Sequence, residues 1–317
     1  MAITTSAPAD TPPTPPTPRA ALRHRLAERG IDRNLLLLLP AVVFVIALFI
    51  YPFLYGLQLS FQPQPGADAA RAYGTGPFAN YRLFFADSYL RDTIWTTLKL
   101  GLPAALFNVL ASVPIAFRMR GRFRGKRTIT TILVVPITLG TVLTAEGLLA
   151  FLGPTGWLNR VLLTLGLVDD PVRLVHNYWG VFFSLVISGF PFAFLLTLAY
   201  LSGIDPSLEQ AAATLGADWW NRFRHITLPL LASGLCITFC LTFVLAFSVF
   251  PSAIMVGDPA GDTRVISIAA FHAQQEQYDY AMGSAIAMIM GAVMLIVIAV
   301  VFALRSRFYR GATGGKG

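Results

Sequence analysis

Residues 282–304 read MGSAIAMIMGAVMLIVIAVVFAL, 23 positions from Met282 to Leu304 without one charged side chain. A helix rising 1.5 Å per residue over that length spans about 34 Å, enough to cross roughly 30 Å of hydrocarbon. Lipid offers backbone groups no water to pair with, so a crossing run of this kind closes its hydrogen bonds internally, as a helix. Outward from this stretch, five further runs have the same character, at about 35–59, 95–117, 129–151, 178–201 and 228–249. One such run could be a core helix of a large soluble protein. Six in a chain of 317 residues, only 13% of them charged, exclude that reading, because soluble chains carry about a quarter. The sequence predicts an all-α membrane protein with six transmembrane helices.

Lys and Arg resist translocation, so the basic connections mark the cytoplasmic side. The N-terminal segment, the loop 118–127, the loop near Arg222 and the tail after Leu304 hold 17 basic residues, and the alternate loops hold 6. Both termini are expected inside. The net charge of +8 follows from this asymmetry and from attraction to anionic lipid, and no basic groove interleaved with aromatics points to nucleic acid. In a variant lacking Cys236 and Cys240, single cysteines in 62–91 and 153–177 should label in intact cells with an impermeant thiol reagent, while those in 118–127 and 202–227 should not. Labelling of Arg122→Cys from outside would overturn the topology.

Cys236 and Cys240 stand four apart on one face of the fifth run, with no His or carboxylate nearby on that helix, and read as apolar packing. The first run is too long for a signal-peptide core and lacks a small-residue cleavage site, so it is expected to stay as a helix. Before it, residues 1–17 are Pro, Thr, Ser and Ala without periodicity, a composition expected to be disordered. Arg19, Arg23, Arg25 and Arg29 with Leu22, Leu26 and Ile31 suit a short basic helix at the inner surface, or a plain positive anchor. The domain plan is thus a disordered segment with a basic helix (1–33), a six-helix domain (34–310) containing a cytoplasmic loop at 202–229, and a short tail (311–317).

The outer stretch 62–91 has room for a short helix or two, and 153–177 carries Trp157, Leu158, Val161, Leu162 and Leu165 at helical spacing. The outer stretch 257–280 is polar at its start and would suit a soluble partner. Pro103, Pro136, Pro191 and Pro251 each remove a helix hydrogen bond and favour a kink, and kinked helices can line a pathway.

The loop between the fourth and fifth runs is patterned. Asp205 can cap a short helix with Pro206 in its first turn and Leu208, Ala211, Ala212 and Leu215 on one face. Gly216 fits the left-handed position that ends it. A second short helix follows, with Trp219, Phe223 and Ile226 on one side, and ends as Leu228 and Pro229 open the fifth crossing.

Gln210-Ala211-Ala212, Gly216, Ile226, Leu228 and Pro229 stand at the spacing of the EAA motif of ABC importer permeases, and Tyr51-Pro52-Phe53 with Ser60-Phe61 is similar to the end of that family's first helix. The resemblance covers about 35–309. It implies the type I importer fold and a coupling helix that docks on an ATP-binding subunit, carried here by Glu209, Gln210, Ala211, Ala212, Leu215, Gly216, Ile226, Leu228 and Pro229. Gln210 departs from the family, whose residue there is usually Glu, although Glu209 directly precedes it; any ion pair of that Glu is put in doubt. Leu215-Gly216-Ala217, where sugar permeases usually show Asp before the glycine, looks like the spermidine/putrescine, phosphonate and ferric-iron branches. Gly153-Pro154, Leu158-Asn159 and Leu165-Gly166-Leu167 are similar to the polyamine branch.

No phosphate-cradling loop is present: from Gly121 to Thr128 the glycine spacing is too short and Arg127 replaces the hydroxyl residue. The chain is therefore expected to bind no cofactor, with ATP and Mg on a partner. Lys99, at the outer end of the second run, reads as snorkelling. Glu146, near the outer end of the third, could line the pathway together with Pro136 and Pro191, or simply pair with a neighbour. Outer segments hold 10 acidic against 6 basic residues, slightly favouring cations.

The expected assembly is this permease with a second one or a copy of itself, two ATP-binding subunits and an extracytoplasmic solute-binding protein, in a bacterial inner membrane. Its expected cargo is a polyamine or related organic cation, with sugar, phosphonate and ferric iron as alternatives. An ion-coupled secondary transporter would want inverted repeats and several midplane carboxylates, and neither is present. A membrane-embedded enzyme would need a catalytic constellation.

Overall fold

The computed structural model describes residues 33–121 and 125–308. Apart from Arg33, the expected basic helix and the disordered segment before it lie outside the described residues, as does the tail 311–317. Among the described residues there is no strand, and six helices are long and apolar enough to cross a membrane.

The chain divides into two units, 1–56 and 57–317. The boundary falls within helix α1, which runs through Arg33–Val45, a π turn at Ile46–Ile50 and on into Tyr51–Ser60. Its large apolar side chains, among them Phe44, Phe49 and Phe53, are exposed, as suits a helix whose solvent is lipid.

In the second unit, two short helices fill the stretch expected to hold one or two, α2 (Asp68–Tyr73) and α3 (Ala79–Ala86). The buried Asn80 ties α3 down by donating to the Ser60 carbonyl at 2.9 Å. Helix α4 (Ser88–Arg120) is 33 residues long, about 50 Å, and begins seven residues before the apolar run. The Asp87 carboxylate caps it by accepting from the Tyr89 N–H, so the helix starts in sequence that reads as loop. Helix α5 (Lys126–Leu152) contains Pro136, but its ladder breaks four residues later, at Gly140 with φ 74° and ψ 172°. The amphipathic α6 (Trp157–Thr164) lies where the spacing places it.

Helix α7 (Tyr178–Ser202) matches the fourth run at its first residue and ends one residue beyond it. After α8 (Pro206–Thr214) comes one unbroken helix, α9 (Trp219–Phe247), rather than a short helix followed by a crossing. A π turn at Phe223–Thr227, with the Leu228 N–H donating to the Phe223 carbonyl, joins the two parts. Pro229 lacks an N–H, and the wider turn absorbs the mismatch that would otherwise break the helix. The chain ends in α10 (Pro251–Met255), α11 (Ile266–Phe271) and α12 (Tyr280–Phe308).

Helices α4, α7 and α9 form the packed centre. Gly101, Ala104 and Ala105 let backbones approach, and Phe194, Phe243 and Phe247 are fully buried. Lipid gives helices no hydrophobic reason to associate, so small residues and polar pairs carry the packing. Ser112 pairs with Thr197 at 2.8 Å, Ser184 donates to Ser252 at 2.8 Å, and Thr97 accepts from the Ile266 N–H at 2.9 Å.

Candidate functional site

The segment 205–229 folds as its residues dictate. The Asp205 carboxylate accepts from the Ser207 N–H at 2.9 Å, and the Ser207 backbone and side-chain hydrogen bonds hold its carboxyl below the usual range. A depressed carboxyl keeps its cap at neutral pH and loses it only as pH falls through the lowered value. Gly216 has φ 86° and closes α8: its N–H reaches the Ala213 carbonyl and the Ala217 N–H reaches that of Ala212, each at 3.0 Å. This is the two-bond pattern that ends a helix on a left-handed residue. Leu208, Ala211 and Leu215 are exposed, Leu215 to 89%, and so are Trp219 and Trp220, while Ala212 is half-buried. Gln210, Leu228 and Pro229 are exposed, and Glu209 and Ile226 half-buried.

The end of α4 clasps this segment. Arg120 donates from Nη1 to Glu209 Oε1 at 2.6 Å and from Nη2 to the Ile204 carbonyl at 2.5 Å, and the same Glu209 oxygen accepts from Thr227 Oγ1 at 2.8 Å. One arginine therefore joins a transmembrane helix to the first half of the segment, and Glu209 carries the link on to Thr227 in the second. Trp219 and Phe223 stack on each other and Phe117 of α4 meets both edge-on, with ring centroids 5.5 to 5.8 Å apart. Gln210 takes no part in the clasp. Arg120 reads in the sequence as one of several topology-setting cations, which hides its second role; its distance in sequence from Glu209 offers no local signal.

In the middle of the bundle lies a cavity of about 390 Å³ between α4, α5, α7 and α9. Pro136 lines it, and so does Gly140 at the break in α5. Pro191 is instead buried within α7, and Glu146 is exposed on α5 and absent from the lining. No ionisable side chain lines this cavity among the described residues; its polar groups include Asn108, Ser188 and Thr242. Asn108 is 1% exposed, and its Nδ2 donates to the Leu185 carbonyl at 3.3 Å while its Oδ1 meets no donor. An unpaired buried acceptor costs about 1–3 kcal/mol. Sequence reasoning passes over Asn108, although a carboxamide amid an apolar run is itself a signal.

The end of the bundle away from Arg120 carries two open clefts. One, of about 470 Å³, is lined by Asp92, Lys99, Asp262 and Arg264 among others, so Lys99 stands at a polar edge. The other, of about 790 Å³, gathers Asp68, Asp87, Glu276 and Asp279 with His272. Because Glu146 is exposed and lines none of these spaces, Glu146→Gln is expected to keep uptake within about twofold of wild type. A larger loss in transport assays would return the carboxylate to the pathway.

Residues 105–313 match the family described as binding-protein-dependent transport system inner membrane component. The chain is 29% identical over 203 residues to the probable sulfate transport system permease protein CysT of Prototheca wickerhamii, covering 64% of this chain and 78% of that one. It is 28% identical over 298 residues to the trehalose/maltose transport system permease protein MalF of Thermococcus litoralis, covering 91% and 97%. It is also 28% identical over 190 residues to the spermidine/putrescine transport system permease protein PotB of Haemophilus influenzae, covering 60% and 65%. In fold it is similar to a chain of a bacterial alginate ABC transporter solved with an alginate-bound periplasmic protein, with a TM-score of 0.74 at 21% identity over 90% of this chain and 98% of that one. Six apolar helices and the match over 105–313 together place the chain in the family of ABC importer permeases, the inner membrane components of binding-protein-dependent transport.

Proposed function

We propose that this chain forms one half of an importer's membrane pathway, paired with a second permease or a copy of itself. Both termini face the cytoplasm. Two ATP-binding subunits, which hold ATP and Mg, dock on the 205–229 segment, and an extracytoplasmic binding protein delivers the solute. The observation that carries this reading is the clasp of Arg120 on Glu209, which fixes a surface with exposed Leu208, Leu215, Trp219 and Trp220 to a transmembrane helix. Exposed apolar side chains gathered on one segment suit a protein interface. A rigid link from that interface to α4 turns a movement of the ATPase into a movement of the bundle, which is alternating access. The test is affinity purification of the membrane complex. An ATP-binding subunit should co-purify with wild type and be lost with Leu215→Asp; a permease recovered alone at wild-type sequence refutes the reading.

For the solute, the polyamine expectation keeps two supports, the acidic cleft of Asp68, Asp87, Glu276 and Asp279 and the similarity to the spermidine/putrescine permease. That cleft is open, and charges at such a site are screened by salt. The space between α4, α5, α7 and α9 bears more weight, because it lies along the crossings themselves and, among the described residues, no ionisable side chain lines it. An ammonium entering a site without a carboxylate loses several kcal/mol of hydration, and the lining supplies none. An uncharged polar solute is the reading we adopt.

A further inference from the structure

We propose that α6 is a lipid anchor, lying in the plane of the membrane surface at the end of the bundle away from Arg120, with Trp157, Val161 and Leu165 seated among the acyl chains of that leaflet. These side chains recur every fourth residue, from the first of the helix to the residue that closes it, and so form one ridge. All are exposed, Trp157 to 69% and Leu165 to 66%, and Leu167 just beyond is exposed as far. Arg160 and Thr164, exposed too, flank the ridge on one side. The opposite side of the helix faces protein: Asn159 is fully buried, and Leu158 packs on the core of Leu148, Leu152 and Val256.

The setting of α6 is fixed. Asn159 Nδ2 donates to the Gly153 carbonyl at 2.9 Å and to the Val172 carbonyl at 3.0 Å, and its Oδ1 accepts from the Val172 N–H at 2.9 Å. Gly156 sits so close to the end of α5 that a Cβ there would fall 2.5 Å from the Phe151 carbonyl oxygen. The helix is thus held against the end of a crossing. Leu143 and Phe151 of that crossing are exposed as well, so exposed apolar side chains run from a helix whose solvent is lipid on to the ridge. Left in water, the ridge would be an apolar patch without a partner. A leaflet suits both of its edges, because an indole is favoured at the boundary of hydrocarbon and headgroup, and a guanidinium beside it meets the phosphates.

The test puts single spin labels into the full chain lacking Cys236 and Cys240, reconstituted in vesicles of phosphatidylethanolamine and phosphatidylglycerol. It measures collision with oxygen, which concentrates in hydrocarbon, and with a water-soluble nickel chelate. Labels at Val161→Cys and Leu165→Cys should show an oxygen-to-nickel collision ratio several-fold above that at Arg160→Cys and Thr164→Cys. When 153–177 is labelled with an impermeant thiol reagent, the ridge positions should be the slow ones by a similar factor. A second measurement keeps both native cysteines: the emission that disappears in Trp157→Phe should be quenched by lipids brominated near the headgroup and spared by aqueous iodide. Low collision with both reagents on the ridge means that a protein covers α6, and equal nickel access at every position means that it stands in water. Either result overturns the inference and leaves the importer reading standing, and so does Trp157 emission that iodide quenches and brominated lipid does not.

Discussion

Arg120→Ala is expected to leave the protein in the membrane and abolish solute-stimulated ATP hydrolysis. The guanidinium is 14% exposed and its partner Glu209 22%, so the pair is largely shielded from solvent. Removing the arginine strands a carboxylate whose remaining partner is the Thr227 hydroxyl, and frees the Ile204 carbonyl as well. Lost hydrogen bonds to charged groups cost about 1.5–3 kcal/mol. That is small beside the burial holding six crossings, but large for a loop held by few contacts. The loop should therefore loosen while the bundle stays folded. Glu209→Gln should do less, because an amide oxygen still accepts from Arg120 and only the charge is lost. The measurement is basal and solute-stimulated ATPase activity of the reconstituted complex for both variants, with membrane levels by blot. Normal stimulation in Arg120→Ala would mean that the clasp transmits nothing.

Gly216→Val is expected to have an effect of similar size for a different reason. The glycine sits at φ 86° with nothing within 4 Å of where a Cβ would be, so no neighbour is struck and the penalty is entirely in the backbone. Placing a non-glycine residue in the left-handed region costs roughly 1 kcal/mol or more, and a β-branched one does worse. Gly216→Asn, which tolerates this region, should retain most of the activity. Gly216→Val should unwind the closing turn of α8 and tilt Leu208, Ala211 and Leu215 away from the ATPase. The order Gly, Asn, Ala, Val in substrate-stimulated hydrolysis supports this. Equal activity for Asn and Val would assign the glycine no backbone role.

Much of the bundle is legible in the sequence because hydrocarbon tolerates so few residue types. Runs without charge across 20 or more positions have one stable outcome, and the helix at 178–202 begins at the residue where its run begins. Ends are less legible. Asp87 starts α4 well before the apolar stretch, and the π turn at Phe223–Thr227 fuses a loop helix to a crossing, because capping and turn widening are decided by single hydrogen bonds. Pro136 announces a kink that the backbone realises at Gly140, since a glycine inside an apolar run carries no sign of its φ.

The 205–229 segment is visible through its cap, its closing glycine and the motif spacing. Its anchor is not: Arg120 and Glu209 are 89 positions apart, and nothing local pairs them. The motif's substitution at Gln210 raises the question of a lost ion pair. The structure gives that pair to the adjacent Glu209.

The most direct measurement is solute accumulation by the reconstituted complex with and without ATP, in the presence and absence of ionophores that collapse proton and sodium gradients. Accumulation that requires ATP and the ATP-binding subunits, persists with the ionophores and is lost in Arg120→Ala is the predicted result. Uptake driven by an ion gradient without ATP, undiminished in Arg120→Ala, would contradict it.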